Sequence, residues 1–492
     1  MTFTKFFTSI VLILLGFSIA TGQNPAQVRK LKKELAKITG SKEFKTATIG
    51  FCLMDVETGK ILVEENAEKS LIPASTMKLI TTGAGLALLG DTFRFKTEFR
   101  YEGGIKDNIL TGNIVVKGTG DPTLGSSRWA ATSIDSINEE IYRKVNTNGI
   151  KEISGGIRTH GWTLQKNAYL GNDLPPGYNI EDIYYPYGAM PSEIDVFENI
   201  VNEHTRVYQI PNYDTSNRWY YTFDVEDDLD KNAQVNSRFP YRQIDSLSYL
   251  EYGDKATDFS TNNILSLFIK YYLKNKGIKM GKDLQHFDEP SFVSNSFLTY
   301  HYSPNLLDIT TKTNNSSINL YAESILRAIG VRKYGKATLD TSIAITRKFW
   351  ETEVGDLKGL RMTDGSGLSR SNLCTPLLFC KMLTGYTKRD NFDSFYSTIP
   401  VAGKDGTVKN FAKGTAADGN ARIKSGSMSR VKCYAGYVTG KNGKLYAVSV
   451  MFNNFEPDAT VTSACANLIG KVAELKGGKP KKTFVVNRGN SK

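Results

Sequence analysis

The feature that most constrains this chain is Pro73-Ala74-Ser75-Thr76-Met77-Lys78-Leu79, where a serine precedes a lysine by three residues at the head of an apolar run. The run predicts a helix to about Leu89, closed by Gly90. At that spacing both side chains share one helix face. A serine hydroxyl is a poor nucleophile at neutral pH, and a lysine desolvated beside other cations can take its proton. Ser75 and Lys78 are therefore the candidate nucleophile and base. Four residues do not specify a site by themselves, since Ser429-Arg430-Val431-Lys432 has the same spacing. The rest of the chain has to supply the context.

The periodicity predicts a basic amphipathic helix over 24–38 and a hairpin from Ala47 to Asn66, ahead of the Ser75 helix. Near the far end, residues 431–438 and 444–453 read as a hairpin about Lys441-Asn442-Gly443, and Thr460 to Leu475 as a closing helix. Helical patterns also stand at Asn262 to Lys274 and from Ile318 to Ile329. Between Thr92 and Leu298 the texture is short strands, glycine turns and aromatic loops. The expected fold class is α/β: an antiparallel sheet flanked by helices, formed by both chain ends from residues 23–92 and 299–480. A β-rich insertion, 93–298, is expected to comprise two domains, and 481–492 is a basic tail. A length of 492 residues suggests about three domains.

Residues 1–22 combine Lys5, an apolar run from Ile10 to Ala20 and small residues at Ala20 and Gly22, the layout of a cleavable export signal. The run is shorter than a membrane span, no cysteine marks a lipoprotein, and no later segment is apolar enough to span a bilayer. The mature chain is expected to start near Gln23 in the periplasm, with loose association to membrane or cell wall left open. The formal charge is +12, and losing the signal with its single lysine lowers it to +11. An exported basic chain suits an acidic cell-wall polymer or lipid headgroups; solvated lysine faces explain the charge as well. No zinc-knuckle, RNA-binding or helix-turn-helix signature supports nucleic acid. Five scattered cysteines in mostly apolar surroundings read as small buried hydrophobes.

Three signals then fall in order. Ser75-Thr76-Met77-Lys78 opens a helix. Ser317-Ile318-Asn319 precedes the apolar segment Leu320 to Leu326. Lys424-Ser425-Gly426-Ser427 stands just before, or opens, the first strand of the late hairpin. Each is cheap alone: Ser136-Ile137-Asn138 and Ser260-Thr261-Asn262 also fit the middle pattern, and Ser317 with Asn319 could simply cap the following helix. The order is the S-x-x-K, S-x-N, K-[ST]-G set of penicillin-binding proteins and serine β-lactamases. The chain resembles the class C low-molecular-mass penicillin-binding proteins, the D-alanyl-D-alanine carboxypeptidase/endopeptidases. Further matching stretches are Ile72 to Ser75, Gly118 to Thr123, Asn315 to Arg327, the loop Asp364 to Arg370, and Lys424 to Met428. It departs from the family at Ser425, usually Thr, and at Ile318, commonly Asp.

The resemblance implies a transpeptidase-like domain and a serine DD-peptidase acting on peptidoglycan stem peptides, with β-lactams as covalent inhibitors. It gives Ser75 the attack on the bond between two D-alanines and Lys78 the proton, although the base in this motif class is disputed. Ser317 would relay a proton to the leaving amine, and Asn319 would hold substrate and Lys78. Lys424 and Ser425 would meet the terminal carboxylate, next to Gly426. The N–H groups of Ser75 and Ser427 would form the oxyanion hole. It also implies a pocket for a diaminopimelate end at Asp182, Arg370, Met428 and Ser429, without the family's tryptophans at Tyr178 and Ile180. No cofactor or metal is expected. The four histidines carry no His-Glu-x-x-His pattern, and no Gly-x-Ser-x-Gly elbow occurs. A β-lactamase or a non-catalytic wall-binding relative are the rivals. The 238 residues between Lys78 and Ser317 exceed what a compact β-lactamase places there.

Overall fold

The computed structural model describes residues 25–160, 261–281, 296–335 and 338–477, with short stretches between 176 and 258. The expected export signal, Asp182 and the basic tail lie outside the described residues. Two compact units divide the chain: 1–76 with 358–360 and 374–492, and 77–357 with 361–373.

The first unit is built on an antiparallel five-stranded sheet of strands β1 (Thr48–Asp55) and β2 (Ile61–Glu65) from one chain end and three strands from the other. Its order runs Ala421–Met428, Val431–Thr439, Leu445–Asn453, β1, β2. Joining the two ends is the pairing of β1 with Leu445–Asn453 over eight positions, from Thr48 opposite Asn453 to Asp55 opposite Tyr446. β1 is buried along nearly its whole length, as expected of a strand covered on both faces. Ile49, Phe51 and Leu53 join a core with Leu31 and Leu35 of the helix Pro25–Thr39 and Leu468 and Ile469 of the helix Val461–Ala473. The alternate residues face the helix Pro376–Tyr386: a Cβ at Gly50 would meet Pro376 Cγ at 2.7 Å, and Cys380 Sγ donates to Cys52 O. All five cysteines are buried and unbridged. The Lys424 segment has a strand of its own, Ala421–Met428, paired with the hairpin and standing at the sheet's edge.

In the second unit the buried helix Lys78–Leu89 packs with Leu306–Ser316, Asn319–Tyr334 and Leu339–Val354. Contact with Asn319–Tyr334 is close: a Cβ at Gly85 would lie 2.5 Å from Ile325 Cγ2. The inserted residues form two four-stranded sheets with the helices Ile134–Thr147 and Thr261–Asn275. Phe99, Val116, Ile141, Ile269, Leu273 and Leu298 belong to one shared core there. Among the described residues no helix is long and apolar enough to cross a membrane.

Candidate active site

Ser75 sits on a forced bend. Ala74, fully buried, has φ 46°, a conformation uncommon for a residue with a side chain. The first turn, Ala74–Met77, is a 3-10 helix, and the α-helix starts only at Lys78. Thr76 Oγ1 pins the bend by donating to Pro73 O at 2.6 Å. Against this bend lies the edge strand Ala421–Met428. A Cβ at Gly426 would come within 2.7 Å of Pro73 O, 2.9 Å of Ser75 N and 3.0 Å of Thr76 N, so only glycine allows the approach.

On that strand Lys424 is fully buried and its Nζ donates to Ser425 O at 2.8 Å. Ser425 Oγ is 2.8 Å from Thr407 Oγ1, a hydroxyl from the 3-10 turn Gly406–Val408. Ser427 is exposed and its Oγ accepts from Lys432 Nζ at 2.8 Å. Met428 is half-buried and Ser429 exposed.

The second unit carries Lys78, fully buried on its helix. Its Nζ donates to Asn319 Oδ1 and, at 2.7 Å, to Ser366 O. Burial drives its pKa down from 10.5 to about 7, against the pull of the Asp364 and Glu323 carboxylates. A neutral amine has two N–H bonds and one lone pair. In that neutral form the lone pair is what can receive a proton.

Ser317 ends the helix Leu306–Ser316 in the left-handed conformation, φ 59° and ψ 36°. Asn319 then opens the next helix; its N-cap position is Ile318, which makes no side-chain cap bond. Neither Ser317 nor Asn319 therefore occupies the N-cap position of that helix. Asn319 instead spends its amide on Lys78 and on Tyr187 O, to which Nδ2 donates at 2.6 Å. Arg370 is exposed, with its backbone N–H donating to Gly177 O at 3.2 Å.

Several neighbours escaped the sequence reading. Glu323 is 1% exposed and its Oε1 accepts from Gly365 N at 2.9 Å and Ser366 N at 2.8 Å. Asp364 accepts from Gly367 N at 2.7 Å, Asn372 Nδ2 at 2.7 Å and Ser369 N at 2.6 Å. Burial and the adjacent Glu323 push its carboxyl up to about 7. Thr407 and the Tyr187 carbonyl were likewise missed. Glu323 carried a signal as a carboxylate in the mostly apolar segment Leu320 to Leu326, and Asp364 as the head of the matching loop Asp364 to Arg370.

Both chain ends share one sheet, and a fully buried lysine follows Ser75 by three residues in the sequence. The chain matches the D-Ala-D-Ala carboxypeptidase 3 (S13) family over residues 31–217 and 256–472 and belongs to it. It is 25% identical to a D-alanyl-D-alanine carboxypeptidase of Actinomadura sp., covering 94% of this chain and 88% of that one. It is also 25% identical to the D-alanyl-D-alanine carboxypeptidase DacB of Haemophilus influenzae, covering 83% and 86%. The crystal structure of penicillin-binding protein 4 from Haemophilus influenzae shares the fold, with a TM-score of 0.68 and 20% identity over 91% of this chain and 99% of that one.

Proposed function

We propose that the chain is an exported, periplasmic serine DD-peptidase that cleaves the D-alanyl-D-alanine end of peptidoglycan stem peptides, or their D-Ala-diaminopimelate cross-links, through a Ser75 acyl-enzyme. Residues 23–92 with 299–480 form its catalytic domain and 93–298 the insertion. Lys78 is the observation that carries the reading: a fully buried amine whose pKa burial lowers well below the usual lysine value and whose Nζ donates to Asn319 Oδ1 and Ser366 O. Ser75 Oγ attacks the carbonyl carbon while its proton passes to Lys78 Nζ. The carbonyl electron pair moves onto oxygen, where the N–H groups of Ser75 and Ser427 stabilise charge that exists only in the transition state. When the tetrahedral intermediate collapses, the C–N bond breaks and Ser317 relays the proton to the leaving amine. Water then hydrolyses the ester by the same path in reverse. Lys424 and the Ser425 hydroxyl receive the substrate's terminal carboxylate, and Asn319 holds both the substrate amide and Lys78.

A β-lactam presents a carbonyl to the same serine, so the reading includes penicillin binding; one solved structure of the Haemophilus influenzae protein is itself a complex with a β-lactam. Intact-mass spectrometry with penicillin should show one slowly hydrolysed adduct, on the peptide holding Ser75 and absent in Ser75→Ala. An adduct that survives the substitution refutes the assignment of the nucleophile. Rapid penicillin turnover without an adduct favours a β-lactamase.

A further inference from the structure

We propose that Glu323 is a positioning residue for the general base: by accepting the backbone N–H groups of Gly365 and Ser366 it anchors, from the N-terminal side, the residue whose carbonyl accepts from Lys78 Nζ. This inference rests on the function proposed for Lys78 and assigns its orientation to a residue that touches no substrate.

The geometry is continuous. Lys78 Nζ donates to Asn319 Oδ1 and Ser366 O. Asn319 lies on the helix Asn319–Tyr334, and Glu323 follows it by four residues on the same face. The same helix therefore sets both acceptors, one through its own amide and the other through the Glu323 carboxylate bridging Gly365 N and Ser366 N. Arg327, four residues further on, donates from Nη1 to Glu323 Oε2 at 3.2 Å and holds the carboxylate in place.

The loop has little freedom to find another pose. A Cβ at Gly365 would lie 2.9 Å from Ala322 O, so the loop backbone runs directly against the helix. Thr81 Oγ1 donates to Gly365 O at 2.6 Å, and Asp364 collects the N–H groups of Gly367 and Ser369. Glu323 holds the amide side of Ser366, and Asp364, through Gly367 N, holds the peptide group that carries Ser366 O. Without its acceptor, two buried N–H groups lose their partner and Ser366 is held only on its carbonyl side, where Asp364 accepts from Gly367 N, so the residue can shift and carry its carbonyl away from Lys78 Nζ. Misplacement of a reacting group by about 1 Å costs on the order of 100-fold in rate.

The test is single-turnover acylation of the full chain by penicillin, with the maximal rate and the half-saturating concentration measured separately and normalised to the fraction of sites that end up acylated. Glu323→Ala should lower the maximal rate by about 100-fold and move the half-saturating concentration little, because the groups proposed to bind the carboxylate lie on Ala421–Met428. Glu323→Gln keeps an oxygen to accept from Gly365 and Ser366. It is made in an Arg327→Met background, so that no guanidinium opposes the new amide. It should recover most of the rate lost by Glu323→Ala in that same background. A merely structural role would reduce the acylated fraction and the melting temperature but not the rate per competent site. The inference is overturned if Glu323→Ala acylates at the wild-type rate, if its whole effect is on half-saturation, or if Gln is as slow as Ala. Absence of any Ser75 adduct in the wild type would instead refute the proposed function, so the two failures are distinguishable.

Discussion

Replacing Lys78 with methionine, similar in length and uncharged, should change the way stability depends on pH. In the folded state the amine titrates at about 7 because it is buried, whereas in the unfolded chain it should titrate at its ordinary value of 10.5. Between those values the unfolded chain binds a proton that the folded chain does not, so stability rises with pH across the window. Holding Lys78 neutral costs the fold about 3 kcal/mol at pH 8 and about 1 kcal/mol at pH 9.5. The wild type should therefore gain about 2 kcal/mol relative to Lys78→Met over that interval. Removing the amine also orphans Asn319 Oδ1 and Ser366 O, at roughly 1–3 kcal/mol each, but that loss has no pH dependence. Nearby carboxylates complicate only the lower end: Asp364 titrates near 7 and is ionised by pH 8. The sign at one pH is thus uninformative, and the difference in slope is the measurement. Urea unfolding of both proteins at pH 8, 8.5, 9 and 9.5 would supply it. Parallel stability curves would show that Lys78 keeps an ordinary pKa in the fold, and the argument for a neutral base would fall.

Three further outcomes follow from the site. Gly426→Ala should lose both stability, by about 1–3 kcal/mol, and penicillin acylation, because its methyl would meet the backbone at Pro73 and Ser75; wild-type stability and acylation would show that the close approach is dispensable. Lys424→Ala should lower kcat/KM by about 30- to 1000-fold on a free-acid D-alanyl-D-alanine peptide and much less on the corresponding amide, while equal losses on the two would remove the carboxylate from the argument. Peptides with a free diaminopimelate end should be cut faster than those with a neutral side chain, and Asp182→Ala should erase that preference while sparing penicillin acylation; a preference that persists, or acylation lost as well, would place the selective pocket elsewhere.

The parts of this protein legible in sequence are those whose chemistry requires particular residue types at short range. β1 and the late hairpin were readable from apolar runs and a Lys441-Asn442-Gly443 turn, and their pairing explains why the two chain ends form one sheet. The helix Ile134–Thr147 was missed inside a stretch dominated by strand and turn signals, although Ser133 caps it by accepting from Ser136 N at 3.3 Å. Glu323, Asp364 and Thr407 were missed for a different reason: their importance lies in which distant backbone or hydroxyl group they meet, and spacing along the chain does not encode that. The false matches show what spacing omits. Ser136-Ile137-Asn138 is simply part of a helix, and Ser429 to Lys432 turns from one strand to the next through Arg430 at φ 60°. At the candidate site the backbone does something else: Ala74 before Ser75, and Ser317 itself, both take positive φ. At Ala74 the chain bends into the 3-10 turn bearing Ser75, and at Ser317 it stops one helix so that the next begins with Asn319. Such strain persists only where the surroundings over-determine it, and here those surroundings include Gly426 and the Thr76 bond at the first bend and the Asn319 bonds at the second. The distinction between a three-residue pattern and a site is therefore made by backbone strain held in place by distant parts of the chain.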